Sequence, residues 1–391
     1  MKSILILLTI GFTIISTHSL SQTFSPFDKT IPILDKSKSY PSLKLDLQTQ
    51  DKYVRLETSR EILLGQNCRL KYASDNRLLF SDEFIGDVFI FDINGKIYSK
   101  FNQKGGLGYT TITSIAYDEN KRELFILDRI TKKIYVFSEN GALLRSFKTP
   151  QETFIDEIYN FNDNTLLAFD ENLIGLDKPT KPYIYISKDN GIITGYVNIT
   201  IEKVNPEQHI ENISKNEARS YTIMHTGISD NCKFGNDFIL ANKSMDTVYV
   251  LRQNKILEPL FTQIPSVHST HTSAASVGMF TDKYLKLCVS DYDIMEAKKI
   301  MDSGKTWNPG FKHYILDRKT GSFYKDPDKG RYSIYKVDTP LNHVCSAIPA
   351  MHLIEKNKLG KLNGELKNIA SNISINDNPI VVIQNILTDG N

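Results

Sequence analysis

One stretch of this chain repeats itself, and that repeat constrains the fold more than any other property. LLFSDEFIGDVFIFDINGKI, Leu78 to Ile97, matches LFILDRITKKIYVFSENGAL, Leu124 to Leu143, without a gap at an offset of 46 residues. Leu78 falls on Leu124, Asp82 on Asp128, Phe91 on Phe137, and Asn94-Gly95 on Asn140-Gly141. A period of this size in β-type sequence belongs to stacked or radial sheets rather than to one closed sandwich.

Each copy carries the same physical pattern. A short apolar run ends at an acidic residue, a polar loop follows, and an alternating run meets an Asn-Gly pair, whose tolerance of positive φ suits a tight antiparallel turn. One strand follows each turn, and Cys68 to Lys71 and Thr113 to Tyr117 supply one strand ahead of each copy, giving four strands per unit. A third copy begins at Thr165 to Asp170 and reaches Asn190-Gly191 after a lengthened loop that contains Pro179 and Pro182. A fourth runs from Asp237 to Phe261, and a fifth from Lys283 to Asp291 and on through His313 to Tyr324. The last unit has to be assembled from both ends, Tyr53 to Glu57 with Pro379 to Leu387, because a ring protects its edges only if its first and last strands meet. The prediction is an all-β chain: a six-bladed β-propeller of four-stranded antiparallel blades with short helical insertions, one of them between Met351 and Ile373.

The ends divide the chain further. Residues 1–21 read as a signal peptide, with Lys2, an apolar core from Ile4 to Ile15 and small residues at Ser19 and Ser21. Residues 22–51 form an N-terminal extension, and 52–391 the propeller. The apolar core is shorter than the ~20 residues a membrane span needs, so the chain is expected in the periplasm, at the cell surface or outside the cell, with no transmembrane anchor after cleavage. A balance of 47 basic against 45 acidic residues gives no basic stripe for nucleic acid. Cys68, Cys232, Cys288 and Cys345 are too few and too scattered for a disulfide scaffold; three pairings are formally possible, and most of the four are expected as buried free thiols.

On these landmarks (YVRLET at Tyr53 to Thr58, the matched pair of blades, DTVYVL at Asp246 to Leu251, HYILDRKTG at His313 to Gly321 and DNPIVVIQ at Asp377 to Gln384) the chain resembles the secreted six-bladed propellers of Bacteroidetes, relatives of NHL-repeat propellers mostly without an assigned function. The resemblance implies an exported propeller and brings no catalytic residues with it. Where that family usually has a Pro and an acid before an aromatic, this chain has KGGLGYTT, Lys104 to Thr111.

No GxSxG, HExxH or P-loop occurs, and the Gly105 to Gly108 run reads as an inter-blade turn. His268 and His271 lack the further ligands a zinc site requires, so neither a metal nor a cofactor is expected. Asp82, Asp128 and Asp170 recur at strand ends, where an Asp caps the backbone amides that follow. Binding is therefore the expected activity, with Trp307, Tyr109, Arg69, Lys71, Tyr117 and Tyr292 as candidate contacts and an envelope protein, peptide or glycan as the partner, met through loops on one face. The lengthened segments 171–181, 200–231 and 292–312 are the candidate binding insertions. The alternative is an NHL-like lyase or hydrolase with a metal in the central channel.

Overall fold

The repeated strands form in the predicted order. The structure is a computed structural model in which residues 30–170, 179–202, 208–213, 218–223, 231–269, 272–292, 310–328, 337–340 and 342–387 are described, with five positions between 296 and 303. Ile31–Asn391 makes one compact unit, a six-bladed β-propeller.

From the axis outward, blade one comprises Cys68–Ala73, Arg77–Asp82, Asp87–Asp92 and Ile97–Asn102. Blade two comprises Ser114–Asp118, Glu123–Asp128, Lys133–Ser138 and Leu143–Lys148. Blade three has Ile155–Asn162, Thr165–Asp170, Tyr183–Ser187 and Ile193–Tyr196. Blade four has Cys232–Phe234, Asp237–Leu240, Thr247–Leu251 and Leu257–Ile264, and blade five Thr272–Phe280, Tyr284–Tyr292, Gly310–Asp317 and Ser322–Lys325. All these pairings are antiparallel. The turns joining strands one to two and three to four therefore share one side of the disc, the hairpin face. Connections between strands two and three, and from blade to blade, share the other, the loop face.

The middle strands are buried on both sides because each side meets a different neighbour. In blade one Phe80, Phe89 and Phe91 pack with Val54, Leu56 and Val381 of the closing blade, while Leu79, Val88 and Ile90 pack with Leu124, Ile126 and Phe137 of blade two. This explains why the strands are nearly continuous apolar runs; each fully buried Leu, Ile or Phe contributes roughly 1.5–3 kcal/mol. The outermost strands alternate, as Ile97–Asn102 does, because only one of their sides is covered.

The ring closes as the terminal strands predict. Thr49–Arg55 pairs along its whole length with Ile380–Ile386, which in turn pairs with His343–Ile348. Among the described residues this closing blade has three strands rather than four. Blade four instead has a fifth, Ile33–Asp35, added parallel to its outer strand. The chain then runs past blade five, where Leu43 N–H donates to Lys325 O at 3.0 Å, before entering the closing blade at Thr49. Residues assigned by sequence to an N-terminal extension thus lace the outer edges of blades four and five, where unpaired strand edges would otherwise face solvent. Two helices, Ala350–Lys358 and Gly364–Ser371, occupy the insertion expected between Met351 and Ile373. The signal-peptide assignment, residues 1–21, lies outside the described residues.

None of the four cysteines forms a disulfide, and Cys232, Cys288 and Cys345 are buried. Burial pushes the Cys68 thiol up to about 12 and those of Cys288 and Cys345 to about 11. Because the thiolate is the reactive species, these three thiols are expected to react with a disulfide reagent at pH 8 at least ~100-fold more slowly in the folded protein than after denaturation. A thiol-exchange time course measures this; fast labelling without unfolding would contradict it.

Candidate functional site

Loops of blades one and two converge on the loop face. Asp82 ends the second strand of blade one, and its Oδ1 accepts the amides of Phe84 and Ile85 at 2.9 and 2.8 Å, holding that loop tip in place. Asp128 repeats the device with Ile130 and Thr131, and its Oδ2 also accepts Thr110 N–H at 2.7 Å. Burial works against the Asp128 carboxylate, yet these hydrogen bonds outweigh it and hold its pKa below the usual value. Asp170 accepts Phe154 N–H at 2.8 Å in the same way. The repeated acid is a clamp on loop conformation, as an Asp at a strand end is suited to be.

With their backbones held, these loops direct apolar side chains into solvent. Leu107 is 89% exposed, Ile130 74%, Phe84 71%, Ile85 55% and Leu63 50%. The loops touch one another: Lys104 Nζ donates to Phe84 O, Thr111 Oγ1 donates to Glu83 O at 3.3 Å, and the Arg129 guanidinium lies 5.0 Å from the Phe154 ring centroid. Contiguous exposed apolar side chains are a general mark of interaction surfaces, whereas scattered single ones need no explanation.

The predicted contact residues divide between the two faces. Tyr109 has no exposed surface; its hydroxyl donates to Gly86 O at 2.6 Å, so it supports the Phe84 loop from beneath. Lys71 Nζ pairs with Glu83 at 2.6 Å, and Arg69 donates to Gln66 O at 2.7 Å, which places both beside the loop face. Tyr117 points the other way, buried against Glu139, and burial together with that carboxylate raises its pKa. Trp307 lies outside the described residues, as do the side chain of Tyr292, His271 and most of the three insertions. His268 sits 3.2 Å from Ser244 O in a turn before blade five, and among the described residues no group of three or more His, Cys, Asp or Glu is placed to hold a metal.

On the hairpin face a pocket of about 320 Å³ opens near the axis. Turns of the first four blades build its walls: Ser74, Glu119 and Asn120, Asn162 and Asp163, then Gly235 and Asn236. The segment Asp338–Pro340 completes it. That segment is pinned from both sides, since Asp338 O accepts Ala73 N–H at 2.9 Å and Thr339 O accepts Gly235 N–H at 2.6 Å. Tyr72 donates to Glu119 Oε2 at 2.6 Å, and Asn76 Nδ2 to Glu119 Oε1 at 2.9 Å. The Lys233 ammonium donates to Asn160 O at 3.0 Å; desolvation lowers its pKa, against the opposing pull of Asp338 and Asp118.

The sequence pattern of a family described as "Domain of unknown function (DUF4934)" matches residues 28–385. The chain belongs to that family. No curated protein matches it. Among solved structures, a Bacteroides fragilis protein provisionally described as exported superposes with a TM-score of 0.62 at 15% identity, covering 92% of this chain and 100% of the other. A member of the DUF4221 family from Bacteroides vulgatus has a TM-score of 0.48 at 9% identity, covering 89% and 99%. Virginiamycin B lyase from Staphylococcus aureus has a TM-score of 0.41 at 8% identity, covering 87% and 100%. At 15% identity the likeness to the Bacteroides fragilis protein is one of fold.

For this DUF4934 chain, the exposed tips and the pocket were both missed by motif-level reading. The tips carried a usable signal, because Phe84-Ile85 and Ile130 directly follow the repeated acid, where a loop begins and apolar residues have no strand to join. The pocket carried none, because its walls come from turns widely separated in sequence. No helix among the described residues is long and apolar enough to cross a membrane.

Proposed function

We propose that this DUF4934 chain is an exported binding propeller that holds a protein partner through the loop face of blades one and two. The observation that carries this reading is the group of apolar tips, Leu63, Phe84, Ile85, Leu107 and Ile130, each at least half exposed. Burying one such side chain against a partner contributes roughly 1.5–3 kcal/mol, so a few tips together suffice for a specific complex. The tips at Phe84, Ile85, Leu107 and Ile130 project from loops clamped by Asp82 and Asp128, and the Leu63 segment is held by Asn378, whose Oδ1 accepts Leu64 N–H at 2.8 Å, so little ordering entropy is lost on docking. Export is supported by the apolar leader and by the likeness to the Bacteroides fragilis protein.

The test is the double substitution Phe84→Ser and Leu107→Ser in the mature protein. Both side chains are exposed, so stability should stay within about 0.5 kcal/mol of the native value. Capture of a partner from the native envelope fraction should fall by at least about tenfold. Capture that matches the native protein would overturn the assignment.

A further inference from the structure

The pocket on the hairpin face is independent of the loop surface and has its own chemistry. Lys233 Nζ carries three N–H donors and, among the described residues, spends one of them on Asn160 O. Carboxylates share the pocket: Asp163, Asp338 and Glu119, whose two oxygens already accept from Tyr72 and Asn76. Asn120 carries amide donors and an acceptor, and Asn236 carries amide donors while its Oδ1 accepts from Gln253 Nε2 at 3.1 Å. The ring of Tyr72 supplies an apolar face, fixed by the bond from its hydroxyl to Glu119.

We propose that this pocket binds the terminal sugar of a neutral glycan. An anionic ligand would have to lie against Asp163 and Asp338, and a cationic one against the Lys233 ammonium. A hydroxyl accepts from the ammonium and donates to a carboxylate, so a polyol satisfies both kinds of group at once, and hydrogen bonds to charged groups are the stronger ones. The volume of about 320 Å³ is at the lower end of ligand pockets, which suits one sugar ring with the rest of the chain leaving through the mouth. Asp163 lies on that mouth, in the exposed turn of blade three. Lys233 is half-buried, and desolvation lowers its pKa.

The experiment is calorimetric titration of the mature protein with neutral trisaccharides (cellotriose, maltotriose, mannotriose), an oligogalacturonate and triglycine amide. At least one neutral trisaccharide should saturate the site, with weaker or no binding of the uronate and the peptide. Asp163→Asn and Lys233→Met should each weaken that binding by about tenfold or more, while Phe84→Ser with Leu107→Ser leaves it unchanged. If Lys233→Met fails to fold, Asp163→Asn alone decides, since that side chain is exposed. The proposal is overturned if no neutral trisaccharide saturates at about 10 mM, if the charged or peptide probe binds more tightly, or if Asp163→Asn binds as the native protein does. Because the loop-face variant is part of the same series, loss of partner capture and loss of sugar binding are read separately.

Discussion

Gly95→Ala is expected to lower the free energy of unfolding by about 2–5 kcal/mol, a large fraction of what holds a domain together. Two costs add. Gly95 has φ of +83°, where a side chain loses roughly 1–2 kcal/mol to its own backbone. A Cβ there would also stand 2.2 Å from Arg55 O and 2.9 Å from Arg55 C, backbone atoms of the strand that closes the ring. Backbone in a paired strand cannot swing aside, so blade one would have to move off the closing blade. The same contact recurs around the disc: a Cβ on Gly141 would meet Phe101 at 2.5 Å, and one on Gly191 would meet Lys148 O at 2.6 Å. Gly105 separates the two costs, because its φ is +87° and no heavy atom lies within 4 Å of its Cβ position. Gly105→Ala should therefore cost only the backbone part, roughly 1–2 kcal/mol. Denaturant unfolding of both variants measures the difference; equal losses would mean that the approach to Arg55 contributes nothing.

These glycines also show what the sequence could reveal about the fold. Asn94-Gly95 and Asn140-Gly141 are recognisable as turns because the signal is local: two adjacent residues that tolerate positive φ. That the same glycine sets the spacing between blades depends on Arg55, which no local pattern brings near. The apolar alternation was equally local, and it placed all four strands of blades one and two, the later strands of blades three to five and the two terminal strands, but not the innermost strands Ile155–Asn162, Cys232–Phe234 and Thr272–Phe280 or the closing-blade strand His343–Ile348. The N-terminal strap was not legible, because Ile33–Asp35 is a short strand whose partner, Leu257–Ile264, is more than half the chain away. Nothing in its own sequence distinguishes it from a linker.

The candidate sites were less legible than the fold for a related reason. Tyr109 stands in a Gly-rich loop and has the composition of a contact residue, but its hydroxyl is needed by Gly86 O, so the ring turns inward. Leu107, two residues earlier, is the one that reaches solvent. Between two neighbouring apolar residues in a loop, exposure is decided by the backbone group each can reach, and sequence does not record that. Lys233, Asp163 and Asp338 share a pocket only because the ring closes, so their chemistry exists at the level of the whole disc.

A second large effect is expected at the buried ion pair between Asp118 and Lys188. Lys188 belongs to the turn after the third strand of blade three and has no exposed surface; Asp118, at the end of the innermost strand of blade two, is 3% exposed at its side chain. The pair joins the two blades, and Lys188 O also accepts Arg145 Nε at 3.2 Å, itself paired with Glu123 at 2.7 Å. Asp118→Asn leaves a buried ammonium without its counter-charge, and such losses cost about 3–5 kcal/mol. Adding Lys188→Met removes the orphaned charge, and exchanging a buried pair for uncharged groups is often close to neutral. The double variant should therefore recover most of the loss, which additive damage to packing would not allow. Desolvation lowers the Lys188 pKa below its ordinary 10.5 even with Asp118 in place, and removing the carboxylate lowers it further. A lysine whose folded pKa is depressed binds its proton more weakly in the folded state than in the unfolded one. Stability of the single variant should then rise as pH increases from the depressed folded value towards 10.5, narrowing its gap to the native protein between pH 7 and about 9.5. Urea unfolding at both pH values measures the gap. A gap that stays constant, with no recovery in the double variant, would show that Asp118 acts by shape and hydrogen bonding to Lys121 N–H rather than by its charge.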